Sequence, residues 1–111
     1  GQVAHAAGYG ILADHGGHGV GQLLHEDPPV DNDGRPGRGP RLRDGLVLAI
    51  EPMFVDGDPD YVHRPDGWAV ATRDGSRAAH FEHTVAITPE GPLVLTARER
   101  EPVLKGGRAQ A

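Results

Sequence analysis

Four side chains in this sequence offer chemistry through their type and spacing. His18 and His25 lie in the glycine-rich run Gly17-His18-Gly19-Val20-Gly21-Gln22-Leu23-Leu24-His25-Glu26-Asp27-Pro28, and Glu51 and Glu82 sit inside apolar runs that read as strands. A carboxylate in an apolar run is expensive to desolvate unless a cation or a strong donor compensates it. Together the imidazoles and carboxylates read as half of a metal site. Cysteine is absent, so any metal must be held by nitrogen and oxygen, and no disulfide framework is available.

Each residue also has a plainer explanation. Glu51 alone is equally well explained as a buried carboxylate accepting backbone hydrogen bonds or pairing with an arginine. His18 between glycines suits close approach by a metal or substrate, yet glycine-flanked histidines are also common in surface loops. His25-Glu26 begins like a zincin helix, but Pro28 and Pro29 stand where that helix would have to continue towards a second histidine. His80 and His83 flank Glu82; His83 reads as a core residue, and His80 as one that orients a carboxylate or faces solvent. His5, His15 and His63 read as surface residues. Asp56, Asp58 and Asp60 lack the downstream glutamate of a calcium hand.

The elements that must position these groups follow from the apolar pattern. Val3 to Ala7 suit the end of a helix, stopped by Gly8 or Gly10. Gly1 is not a methionine, the single methionine is Met53, and the helix is expected to lack its first turns. A short extended piece is expected over Tyr9 to Leu12, and a loop over Asp31 to Pro40. The clearest strands run Gly45 to Phe54, Trp68 to Arg73, His80 to Thr88 and Pro92 to Thr96, with turns at Asp74-Gly75 and Glu90-Gly91. These imply an α/β (α+β) fold, mostly antiparallel sheet with a flanking helix. Period-two alternation puts Val47, Ala49 and Glu51 on one face, and His80, Glu82, Thr84 and Ala86 on one face of the later strand. Pro52 cannot donate to a ladder, so the strand should end or bulge at Glu51.

With 111 residues and a formal charge of −5, one small acidic domain is the ceiling, and a general nucleic-acid surface is disfavoured. Arg35, Arg38, Arg41 and Arg43 read as a solvated loop. No stretch reaches the roughly 20 apolar residues of a membrane span, and a cytoplasmic protein is expected. Residues 1–96 read as the domain and 97–111 as a polar, disordered tail.

In order, Gly17-His18-Gly19-Val20-Gly21 through His25-Glu26-Asp27-Pro28, Ala49-Ile50-Glu51-Pro52-Met53, Trp68 and Ala79-His80-Phe81-Glu82-His83-Thr84 closely resemble the type I methionine aminopeptidases. The short path from His25 to Glu51 favours type I over type II. The resemblance implies the C-terminal half of the pita-bread fold, in which two similar halves close around two divalent metal ions (Co, Mn, Fe or Zn). It implies His18 as a metal-binding histidine, Glu51 as a ligand of one metal and a proton shuttle, and Glu82 as the bridging glutamate. His25 would contact the scissile amide, and Leu24 and Trp68 would line the pocket for the methionine side chain, Leu24 standing where an aromatic is commoner. The family's two aspartate ligands and a further histidine belong to the other half, and none of Asp14, Asp27 or Asp31 matches them.

The implied activity is removal of the N-terminal methionine from nascent polypeptides near the ribosome, by an enzyme that is monomeric when intact. This chain alone would then hold at most one metal weakly and turn over little. Two other readings remain: an Xaa-Pro aminopeptidase or dipeptidase of the same fold, and a non-catalytic pita-bread module that binds peptides. Convergence of His18, Glu51 and Glu82 on one point separates the catalytic readings from the last.

Overall fold

The computed structural model describes residues 1–99. One helix, α1 (Gln2–Ala7), precedes ten strands: β1 (Gly10–Ile11), β2 (Gly16–Gly19), β3 (Glu26–Asp31), β4 (Val47–Ile50), β5 (Met53–Val55), β6 (Tyr61–His63), β7 (Val70–Thr72), β8 (Ala78–His80), β9 (His83–Thr88) and β10 (Gly91–Val94). Gly8 closes the helix in the left-handed conformation at φ 75°, where a Cβ would be strained. Every strand pair is antiparallel, as the alternating sequence pattern leads one to expect. No helix among the described residues is long and apolar enough to cross a membrane.

The strands form a five-stranded sheet in the order β10-β9-β4-β2-β3, a three-stranded sheet β1-β5-β8, and a separate β6-β7 hairpin. The first two sheets share one ribbon of chain. The segment expected as a single strand over Gly45 to Phe54 is split into β4 and β5, and of that expected over His80 to Thr88 only His83–Thr88 is one strand, β9, while His80 ends the preceding β8. Pro52 supplies the cause, since it has no N–H for the ladder. The register nevertheless carries through the break: Ile50 pairs with His83 on one side and Met53 with His80 on the other. Glu51 therefore falls opposite Glu82, and Pro52 opposite Phe81, whose N–H donates to the Pro52 carbonyl at 3.2 Å.

Three strands were not evident from sequence. The glycine-rich segment around His18 is strand β2, β6 lies in a stretch of aspartates and prolines, and β3 contains Pro28 and Pro29 yet still pairs with β2. β3 is an edge strand, where proline is tolerated. His15, expected at the surface, is half-buried: its Nδ1 lies 3.0 Å from the Ala13 carbonyl, and its ring meets Tyr61 edge-on at 5.0 Å. Of the polar tail expected over 97–111, residues 100–111 lie outside the described residues.

The buried apolar set is small: Ala4, Leu12, Leu48, Ala49, Val55 and Val85. Leu48 and Ala49 on β4 and Val85 on β9 pack at the centre of the five-stranded sheet, immediately before the break that carries Glu51 and Glu82.

Candidate metal centre

The junction gathers its side chains by strand periodicity. Glu51 follows Ala49 by two residues and shares its face, His18 on β2 pairs with Ala49, and Glu82 stands opposite Glu51. Donor atoms of His18, Glu51 and Glu82 all lie within 4.8 Å of one another, the one such group of three or more among the described residues. The Glu51 and His18 side chains are only 12% and 14% exposed, whereas Glu82 is open to solvent.

The glycines beside His18 have a steric cause. A Cβ on Gly17 would run into the carbonyl oxygen of Ala49, and one on Gly19 into that of Asp27. Without side chains there, β2 fits closely between β3 and β4, and a bulge between His18 and Gly19 turns the chain out of the sheet. The next turn is tied by the Glu26 carboxylate, which accepts the Leu23 N–H at 2.8 Å. This assigns Glu26 a structural task and leaves His25 at the rim, its ring 4.3 Å from that of His18.

Local bonds orient the two central ligand candidates. His18 Nδ1 lies 2.8 Å from the Gly19 carbonyl, which can only accept, so Nδ1 carries the proton in this contact. In the neutral ring this leaves the Nε2 lone pair facing Glu51 Oε1 at 3.3 Å. Glu51 Oε2 accepts from His80 Nε2 at 3.1 Å, and the Glu51 main-chain carbonyl accepts from Asn32 Nδ2 at 3.1 Å. His80 thus contacts a carboxylate while its side chain stays 47% exposed, so both of its sequence readings apply. Asn32 was missed altogether; an asparagine within a run of turn formers carries no signal for a long-range contact.

This donor set suits a divalent cation. Two ligand bonds of about 2.1 Å at a tetrahedral angle place their donors about 3.4 Å apart, close to the 3.3 Å between His18 Nε2 and Glu51 Oε1. A lone pair facing a carboxylate oxygen, with a second carboxylate adjacent, is unfavourable without positive charge between them. Carboxylate oxygens within 4.8 Å of one another repel by at least about 1 kcal/mol in bulk water, and more where solvent is excluded. A bound cation reverses the sign of that interaction.

Leu24 and Trp68 are 71% and 88% exposed. Trp68 rides on the β6-β7 turn, where the Asp66 carboxylate accepts the N–H groups of Trp68 and Ala69, each at 2.9 Å. Those bonds, Trp68's foremost, hold the Asp66 carboxyl below its usual range.

The profile of metallopeptidase family M24 matches residues 1–89. Methionine aminopeptidase 1 of Mycobacterium tuberculosis is 53% identical over 95 residues, covering 86% of this chain and 36% of that protein. Methionine aminopeptidase of Clostridium perfringens is also 53% identical, over 86% of this chain and 38% of its own length. Among solved structures, the methionine aminopeptidase of Thermotoga maritima superposes with a TM-score of 0.83 at 49% identity, over 87% of this chain and 39% of that one. That of Rickettsia prowazekii gives 0.82 at 38% identity, over 86% and 39%. The chain therefore spans little more than a third of the length of these relatives.

Proposed function

Because this chain belongs to metallopeptidase family M24, with the partial pita-bread fold of the methionine aminopeptidases it superposes on, we propose that it forms one wall of a methionine aminopeptidase active site. In this reading residues 1–96 carry His18, Glu51 and Glu82 as ligands of a divalent-metal centre. The reading extends to two ions in an intact enzyme that removes the first methionine from nascent polypeptides in the cytoplasm. The observation that carries it is the convergence of those three donor groups across a strand break. The same convergence weighs against a peptide-binding module without catalysis.

When bound, divalent metal supplies Lewis-acid polarisation and an acidified water. The chain's own residues do the rest. Glu51, its carboxylate oriented by the His80 contact at Oε2, would take up the proton of the attacking water and return it to the leaving amine, a contribution of about 10²–10⁴-fold. His25, solvent-accessible beside His18, donates to the scissile amide of the substrate. Leu24 and Trp68 supply apolar surface for the methionine side chain, and their exposure matches a pocket whose remaining walls lie in the other part of the enzyme.

Three donors from one side preorganise a metal centre poorly, so the chain alone should hydrolyse Met-Ala peptides negligibly even with added Mn(II) or Co(II). A chimera supplies the positive test: residues 1–96 replace the matching stretch of the Mycobacterium tuberculosis relative. It should release methionine from Met-Ala-Ser and leave an Ala-Pro peptide uncut, and Glu82→Gln should abolish that turnover. A folded, metal-loaded chimera that fails to release methionine would overturn the proposal. Robust turnover by the 111-residue chain alone would overturn the claim that it is inactive.

A further inference from the structure

We propose that His80 is a positioning residue for Glu51, holding one carboxylate oxygen so that the other is presented to a divalent cation; this rests on the metal-site reading above. His80 Nε2 lies 3.1 Å from Glu51 Oε2, while Glu51 Oε1 lies 3.3 Å from His18 Nε2. The two oxygens of one carboxylate are thus divided between different tasks. Register makes the division a property of the fold: His80 precedes Glu82 by two residues and so shares its face, while its β5 partner Met53 follows Glu51 by two. The His80 ring reaches diagonally across the break onto the carboxylate.

The contact needs only an N–H at Nε2, which the neutral Nε2–H tautomer supplies. It acts with a second restraint, because Asn32 Nδ2 bonds the Glu51 main-chain carbonyl at 3.1 Å. Asn32 fixes where the residue leaves the strand, and His80 fixes the plane of the carboxylate. Neither strand ladder can do this, since Glu51 lies in the gap between the β4-β9 and β5-β8 pairings. His80 is itself 47% exposed on its side chain, so its loss removes a directed bond and little packing.

The test is Co(II) affinity of the full chain by calorimetry, with the Co(II) absorption spectrum and a thermal melt recorded on each variant. His80→Ala should weaken binding about 10–100-fold, the range typical of losing a hydrogen bond to a ligand, and alter the cobalt bands while the melt stays close to that of the unsubstituted chain. His80→Gln, which restores an N–H donor, should recover affinity to within about threefold together with the original spectrum. His80→Leu repeats the measurement should the alanine variant unfold. Unchanged affinity in the alanine or leucine variant, or no rescue by glutamine, overturns this inference alone. A chain that binds no Co(II) in any form overturns the role of His80 in this chain, and methionine release by the chimera then decides the metal-site reading separately.

Discussion

The break between the two sheets and the cleft beside β1 and β3 contain similar residue types arranged to opposite effect. The cleft, about 510 Å³, is lined by Asp14, His15, Asp31, Asn32 and Asp33 among others. Three of its polar side chains are engaged within the chain: Asp33 pairs with His5 at 2.9 Å, His15 bonds the Ala13 carbonyl, and Asn32 donates to the Glu51 main chain. At the break, strand register forces Glu51, Glu82 and His18 together, and the nearest donors leave part of each carboxylate uncompensated. Volume and acidity alone do not make a cation site. What distinguishes the break is the convergence of one imidazole and two carboxylates on a single point.

The largest expected effect tests this directly. His18→Ala removes the single nitrogen donor of the group and should weaken Mn(II) or Co(II) binding at least about 100-fold. Asp33→Ala, in the cleft, should change it less than about twofold. Isothermal titration of both variants checks the contrast; comparable losses would mean that the cleft contributes to binding and that the distinction is wrong.

A stability contrast follows from how tightly β2 is held. Gly17→Ala drives a methyl group into the Ala49 carbonyl and should cost about 1–3 kcal/mol in urea unfolding. Gly34→Ala, in the loop after β3, meets nothing closer than 3.4 Å and should be neutral or gain up to about 1 kcal/mol from a stiffer unfolded chain. If Gly17→Ala were as harmless as Gly34→Ala, β2 would have room beside it, and the steric account of the Gly-His-Gly segment would fail.

The site was more legible in the sequence than the sheets that build it. Glu51 and Glu82 stood out because carboxylates in apolar, β-branched runs conflict with their surroundings, and Pro52 marked where the first run had to break. The matching break at Phe81-Glu82 was invisible, since it is imposed by the partner strand and nothing in Ala79 to Thr84 disrupts a strand. β2 and β3 were hidden for a related reason. Glycine and proline read as turn formers locally, yet glycine at 17 and 19 permits close strand approach, and proline at 28 and 29 is acceptable on an edge. The short helix ending at Gly8 was plain because a C-terminal glycine is a local signal.

The smallest effect separates carboxylates that the fold uses from those it leaves uncompensated. The Ser76 side chain beside it, foremost, and the N–H groups of Ser76 and Asp58, which its oxygens accept at 2.8 and 2.9 Å, hold the Asp74 carboxyl below the ordinary 3.8. A lowered folded-state pKa means that the ionised form stabilises the fold above the unfolded value, and that this stabilisation is lost as pH falls through the folded one. Asp74→Asn should therefore lower the melting temperature slightly at neutral pH, and the deficit should shrink as the pH drops below 3.8. Glu82→Gln should behave in the opposite way in metal-free buffer, leaving the neutral-pH melting temperature unchanged or raised, because it removes repulsion from Glu51 across the break. Thermal melts of both variants from acid to neutral pH decide the matter. A Glu82→Gln variant destabilised at neutral pH in the manner of Asp74→Asn would show that the chain already compensates Glu82 by itself, and the physical reason for placing a cation between the sheets would be gone.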